Sequence, residues 1–281
     1  MPQRIVYTSD SSLRRPREFL AAMVGDLRAS RELAWLLMVR DLRAQHRQSI
    51  LGVAWAFLPP LALAAGLTVA TRAQVIHIGD TDIPYPAFVM FSTTLWQTFV
   101  EALNGPWQAL TNARGILSRV NFPREAIVLA KLGEVHVNFG AKLLLIVALF
   151  LWFRIPVGWS ALLAPIALIQ LVLLGTLLGI VLAPFALLYQ DVSKGLPVVL
   201  GVWLLLTPVV YPVPTAGTFA RIVGLNPVTP ILVTTRELAT TGVLSDPVGA
   251  VVVSALTLAG LAAAWVLFRL AMPLVIQRLG S

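Results

Sequence analysis

Cysteine is absent from this chain, and charged residues are scarce, at 12% of its 281 positions. The first absence excludes disulfides, thiol nucleophiles and cysteine-ligated metals. The second argues against a water-soluble domain, which would carry roughly 25% charge. Histidine is limited to His46, His77 and His136, with no paired ligand spacing, so no metal site is expected. No Gly-Lys dipeptide occurs, which removes the phosphate-binding loop that ATP hydrolysis would need. No Ser/His/Asp set stands out either, so the chain is not expected to be an enzyme. The opening "MPQRIVYTSDSSLRRPREFL" lacks the apolar core of a signal peptide. Residues 1–29 read as a polar cytoplasmic tail.

What the chain has in quantity is apolar sequence. Hydrophobic residues reach 58% and the mean hydropathy is +0.83, as expected where the solvent is largely lipid. A membrane-crossing helix needs about 20 mostly apolar residues. Charged positions divide the chain into six such spans: about 51–71, 86–103, 126–153, 160–189, 196–213 and 247–268. The fold class is therefore an all-α integral membrane domain over residues 51–268. An amphipathic interfacial helix precedes it at 30–50, and a cytoplasmic C-terminus follows at 269–281.

The charges orient the spans. With the N-terminus inside, 15 of the 21 Lys and Arg fall on that side, and Arg72, Arg154, Arg221 and Arg236 fall opposite. This is the positive-inside pattern, and an even number of spans puts both termini in the cytoplasm. The net charge of +8 is thereby a topology signal, and a nucleic-acid partner is unnecessary.

Several segments carry more than span or loop character. In "SRELAWLLMVRDLRAQHRQS", Trp35, Met38, Val39, Leu42, His46 and Ile50 share one helical face. Arg40, Arg43 and Arg47 form a separate cationic stripe. Such a helix lies in a membrane interface; its arginines suit anionic lipid or a protein or substrate surface. The loop "GPWQALTNARGILSRVNFPREAI" has an amphipathic middle, and Pro106 is placed to open a short helix. The segment after span 5, "PTAGTFARIVGLNPVTPILVTTRELATTGVLSD", mixes Gly/Pro breaks with apolar runs. That pattern suits two short helices at the outer interface, as a gate or pore lining. Span 3 carries Lys131, Glu134 and Lys142, each costing on the order of 3 kcal/mol at the bilayer centre. They are read as a polar pathway or as an ion pair with snorkelling stems.

Taken together, these stretches resemble the permease subunits of ABC-type polysaccharide exporters, the O-antigen, teichoic-acid and capsule class. The matching residues begin with Arg40-Asp41, Arg47, Ser49, Leu51-Gly52, Trp55 and Pro59 in "RDLRAQHRQSILGVAWAFLPP". "VNFPREAIVLA", "QDVSKGLPVVL", "TPVVYP" and "LNPVTPIL" follow in the family's order, as far as Leu232. Two positions depart from the pattern: His46 stands in place of Tyr, and Gln190 in place of Arg. The resemblance implies a homodimer around a channel, seated on two copies of a separate subunit that binds ATP and Mg. No cofactor is expected in this chain itself. It also implies a lipid-linked glycan as substrate and location in the inner membrane.

Site residues follow from the same resemblance. Pro106, Trp107, Leu110, Arg114, Ile116 and Leu117 would form the loop that couples to the ATPase. Phe219, Ile222, Ile231 and Leu232 would form the external gate. Arg40, Arg43 and Arg47 become candidates for the lipid head or the ATPase, and Phe57, Phe91 and Trp203 for the channel wall. Aromatics there would offer sugars flat apolar faces, whereas Trp152, Trp159 and Tyr211 suit interfacial belts. Two rival readings are a permease for a small hydrophobic drug or lipid, and a membrane scaffold or secondary transporter with no ATPase.

Overall fold

The computed structural model describes residues 16–47, 55, 57–75, 77–117 and 124–280. These residues form ten α-helices: α1 Pro16–Arg47, α2 Leu58–Arg72, α3 Tyr85–Asn112, α4 Arg114–Leu117, α5 Glu125–Trp152, α6 Ala164–Leu188, α7 Gln190–Leu205, α8 Gly217–Leu225, α9 Val228–Ala239 and α10 Pro247–Gly280. A 3₁₀ turn at Trp159–Leu162 leads into α6.

Among the described residues, three helices are long and apolar enough to cross a membrane: α5, α6 and α10. The other expected spans depart from that pattern for identifiable reasons. α2 and α7 have 15 and 16 residues, about 22–24 Å at 1.5 Å per residue, shorter than a hydrocarbon core of about 30 Å. Helix α3 is long enough, but Ser92, Thr93, Thr94, Thr98, Glu101 and Asn104 lower its apolarity. The start of the first expected span, residues 51–54, lies outside the described residues.

Helices α3 and α6 form the centre. α2 and α5 flank α3, while α9 and α10 cover α6. Phe88, Leu95, Phe99, Leu103 and Leu110 of α3 are fully buried, as are Leu171, Ile180 and Leu187 of α6. The two backbones touch. A methyl group added at Gly175 would stand 2.6 Å from the Phe99 carbonyl oxygen, and one at Gly179 would meet the Leu103 carbonyl oxygen and the Pro106 ring. This Gly-xxx-Gly spacing lets membrane helices approach closely and pack by van der Waals contact. The outward faces remain apolar, as on α10 with Val248, Val251, Val252 and Leu256 exposed.

Five sequence expectations need correction. Helix α1 begins at Pro16, so part of the expected tail 1–29 is helical. Pro106 does not open a new helix: α3 runs through it to Asn112, because Gly179 leaves room for the proline ring. Residues 190–195, expected as a loop, form the first turns of α7, and only Tyr189, extended at φ −125°, ψ 118°, separates α6 from α7. The fifth expected span ends early, since α7 stops at Leu205 and residues 206–214 are non-helical. The helix of the sixth expected span does not end at Phe268: α10 runs on to Gly280, through most of the expected C-terminus 269–281.

Candidate functional site

Polar side chains concentrate at two ends of the bundle. At one end α1 lies across α5. Met38 sits over Gly133 so closely that a Cβ there would collide with its sulfur. Asp41 on α1 accepts Lys131 of α5 at 3.2 Å, and Lys131 also pairs with Glu134 one turn along. Farther toward the N-terminus, Asp26 pairs with Arg269 of α10. Helix α1 is thus tied by ions to two of the apolar helices. Within the bundle, Lys142 is buried and its ammonium pairs with Glu101 of α3. The long stem of Lys142 crosses between helices to reach that partner, which offsets the cost of a buried charge.

At the other end α9 is enclosed: every residue from Val228 to Glu237 is buried. Its N-terminus is organised by Asn226. The Asn226 side-chain oxygen accepts the Trp203 indole N–H at 2.9 Å and the Val228 amide at 3.0 Å. The Asn226 amide donates to the Thr207 hydroxyl at 2.8 Å and the Leu206 carbonyl at 3.2 Å. One capping side chain therefore fastens the start of α9 to the end of α7. Trp203 in turn stands edge-on to Phe99, with ring centroids 5.5 Å apart, and to Trp96 at 6.3 Å.

Arg236, two turns along α9, is 5% exposed. Its guanidinium lies 4.2 Å over the Phe88 ring and donates to the Ser92 hydroxyl at 3.0 Å and the Pro208 carbonyl at 3.1 Å. Among the described residues no carboxylate reaches ion-pair distance of it. Burial lowers its pKa to about 10, while nearby Glu237 and Asp82 pull the value up. The group stays cationic at neutral pH, held by a ring face, a hydroxyl and a carbonyl.

The residues singled out in the sequence do not converge on one site. Arg40 and Arg43 are exposed on α1, and Arg40 engages its neighbour Asp41 at 2.8 Å. The side chain of Arg47 lies outside the described residues. Phe91 belongs to the core, edge-on to Phe150 at 5.5 Å; α5 covers the face on which a channel wall was expected. Phe57 and Trp203 are half-buried. Pro106, Trp107 and Leu110 are buried along continuous α3, because the helix packs against α6 and α5. Arg114 is exposed beyond them, and the side chains of Ile116 and Leu117 lie outside the described residues. Phe219 and Ile222 are exposed on α8, with Phe219 against Tyr211 at 5.6 Å, whereas Ile231 and Leu232 are core residues.

Three groups escaped the sequence reading. In the sequence Arg236 is one of the four outer cations, Asn226 stands just before Pro227 and an apolar run, and Glu101 lies near the end of the second apolar span. A local signal existed for Asn226, since Asn-Pro before an apolar run is a helix-start pattern. Arg236 and Ser92 are 144 residues apart, so their contact left no local trace.

The sequence pattern of the ABC-2 type transporter family matches residues 32–239. The chain is 25% identical over 217 residues to the O-antigen export system permease protein RfbA of Myxococcus xanthus, covering 75% of this chain and 81% of that one. It is also 25% identical over 225 residues to the protein of the same name from Klebsiella pneumoniae, covering 76% and 82% respectively.

Proposed function

Because the chain belongs to the ABC-2 type transporter family, and is thus a multi-pass transport subunit, we propose that it exports a lipid-linked polysaccharide through the cytoplasmic membrane. Two copies would form the channel, each seated on a separate subunit that binds ATP and Mg. The observation that carries the glycan reading is the likeness to two O-antigen export permeases over about three quarters of the chain.

In this reading α2, α3 and α7 join α5, α6 and α10 as the six spans, with both termini in the cytoplasm. The α1 end faces the cytoplasm, consistent with the excess of Lys and Arg there. Helix α4, with exposed Arg114, is the contact to the ATPase. Pro106, Trp107 and Leu110 support it from within α3. Helix α8 presents Phe219 and Ile222 at the outer mouth, and α9 is the rigid ledge beneath it. Arg43 and Arg47 remain the cations offered to the substrate head, since arginine matches phosphate geometry.

The test is export in the native host. Deleting the chain should abolish surface glycan and leave the lipid-linked polymer inside. Arg47→Glu should do the same with membrane insertion unchanged. Tagged protein should bring down an ATP-binding subunit. Unaltered surface glycan in the deletion strain, accompanied by lost tolerance to a hydrophobic drug, would replace the glycan reading with a drug-exporter one.

A further inference from the structure

Beyond any role in glycan export, we propose that the groove between α1 and α5 binds one anionic phospholipid, its phosphodiester held by Arg28 and Arg31. Only the name of the leaflet, cytoplasmic, rests on the orientation proposed above.

The groove has a volume of about 920 Å³ and opens to the outside; Arg28, Arg31, Glu32, Trp35 and Leu36 line it from α1, and Leu129 from α5. Its depth follows from the ion pairs. Arg269 lies 22 residues after Pro247 in α10, about 33 Å along the helix at 1.5 Å per residue. That is close to the thickness of a hydrocarbon core, about 30 Å. Since Asp26 is bound to Arg269, the adjoining turn of α1 lies at the level of lipid phosphates.

The side chains then sort by what they meet. Trp35 is 64% exposed and Leu36 66%, directly beside two exposed arginines. An apolar pair of this size in water would be unfavourable, and an acyl chain covers it. Arg28 and Arg31 have no ion-pair partner among the described residues, in contrast to Arg40, which is engaged by Asp41. With Glu32 the groove carries two cations and one anion. A net charge of +1 matches the single negative charge of a phosphodiester. A diphosphate would exceed that charge and meet the Glu32 carboxylate.

Native mass spectrometry of the full chain, titrated with phosphatidylglycerol, phosphatidylcholine or a polyprenyl diphosphate, tests this. One phosphatidylglycerol per chain should be retained in preference to phosphatidylcholine. The double variant Arg28→Ala/Arg31→Ala should bind it about tenfold more weakly or worse, given the strength of charge-assisted hydrogen bonds. Arg154→Ala, at the opposite end, should bind as the parent does. Both arginines are exposed, so the double variant should keep the parental melting temperature; Arg28→Lys/Arg31→Lys, which preserves charge, should recover most of the binding. Equal retention by the double alanine variant, or equal retention of phosphatidylcholine, would overturn the assignment. Displacement of phosphatidylglycerol by an equimolar polyprenyl diphosphate would overturn it too, making the groove a site for the substrate head. These readouts are of lipid retention, so the glycan reading stands or falls separately.

Discussion

Helix α1 and helix α9 are each tied down by polar side chains in addition to apolar packing, but by opposite means. Helix α1 lies outside the bundle, fastened by ion pairs whose side chains are partly exposed, such as Lys131 and Asp41 at 20% and 24%. Exposed pairs contribute little each and weaken with salt. Helix α9 lies inside, fastened by Asn226 and Arg236, whose hydrogen bonds are closed off from solvent. Removing one partner there leaves others buried without water to replace it. The ion pairs at α1 sit where water can reach them; the hydrogen bonds at α9 belong to the buried fold.

Four substitutions probe that contrast, in decreasing order of expected effect. Asn226→Ala removes the acceptor of the Trp203 indole and the Val228 amide and the donor to Thr207. Unfolding in detergent titrated with SDS should show a loss of about 3 kcal/mol. An unchanged midpoint would mean that α9 is held by packing alone. Arg236→Ala gives up the Phe88 ring contact and two hydrogen bonds, with an expected loss of about 2 kcal/mol. A variant as stable as the parent would show that the desolvation of this cation offsets its contacts.

Lys131→Ala should lower global stability by no more than about 1 kcal/mol. Its signature is local: faster amide exchange along α1, enhanced by salt in the parent and not in the variant. If exchange in α9 rises equally, the two ends are coupled and the contrast fails. Arg40→Ala, at an exposed pair between neighbours, should change stability by less than about 0.5 kcal/mol, within the error of the SDS titration.

Hydropathy made α5, α6 and α10 legible, because their apolar runs are long and broken by few charges. Other boundaries were hidden by signals that usually mean something else. Pro106 reads as a helix start, yet α3 passes through it against Gly175 and Gly179 of another helix, the second of which leaves room for its ring. Their spacing in "GTLLG" was open to reading, but the face they meet was not. Charged residues at 190–195 read as a loop, yet α7 uses them as its first turns, with Asp191 at the N-terminal end, where an acid favours the helix dipole. At the candidate sites the exposed stripe of Arg40 and Arg43 followed from helical periodicity. The cage around Arg236 did not, since Phe88, Ser92 and Pro208 come from distant stretches of chain.

The seam between α3 and α6 also constrains how such a molecule can move. Helices that meet through side chains can exchange rotamers and slide by a turn, about 5.4 Å. Here the Gly175 and Gly179 backbone faces the Phe99 and Leu103 carbonyls directly, and a slide by a turn would replace one of the two glycines there with Leu171 or Ala183. The pair is therefore expected to keep its spacing and to behave as one unit. In the proposed transport cycle the separation of α3 from α6 should stay constant, a ruler against which any displacement of the surrounding helices can be measured.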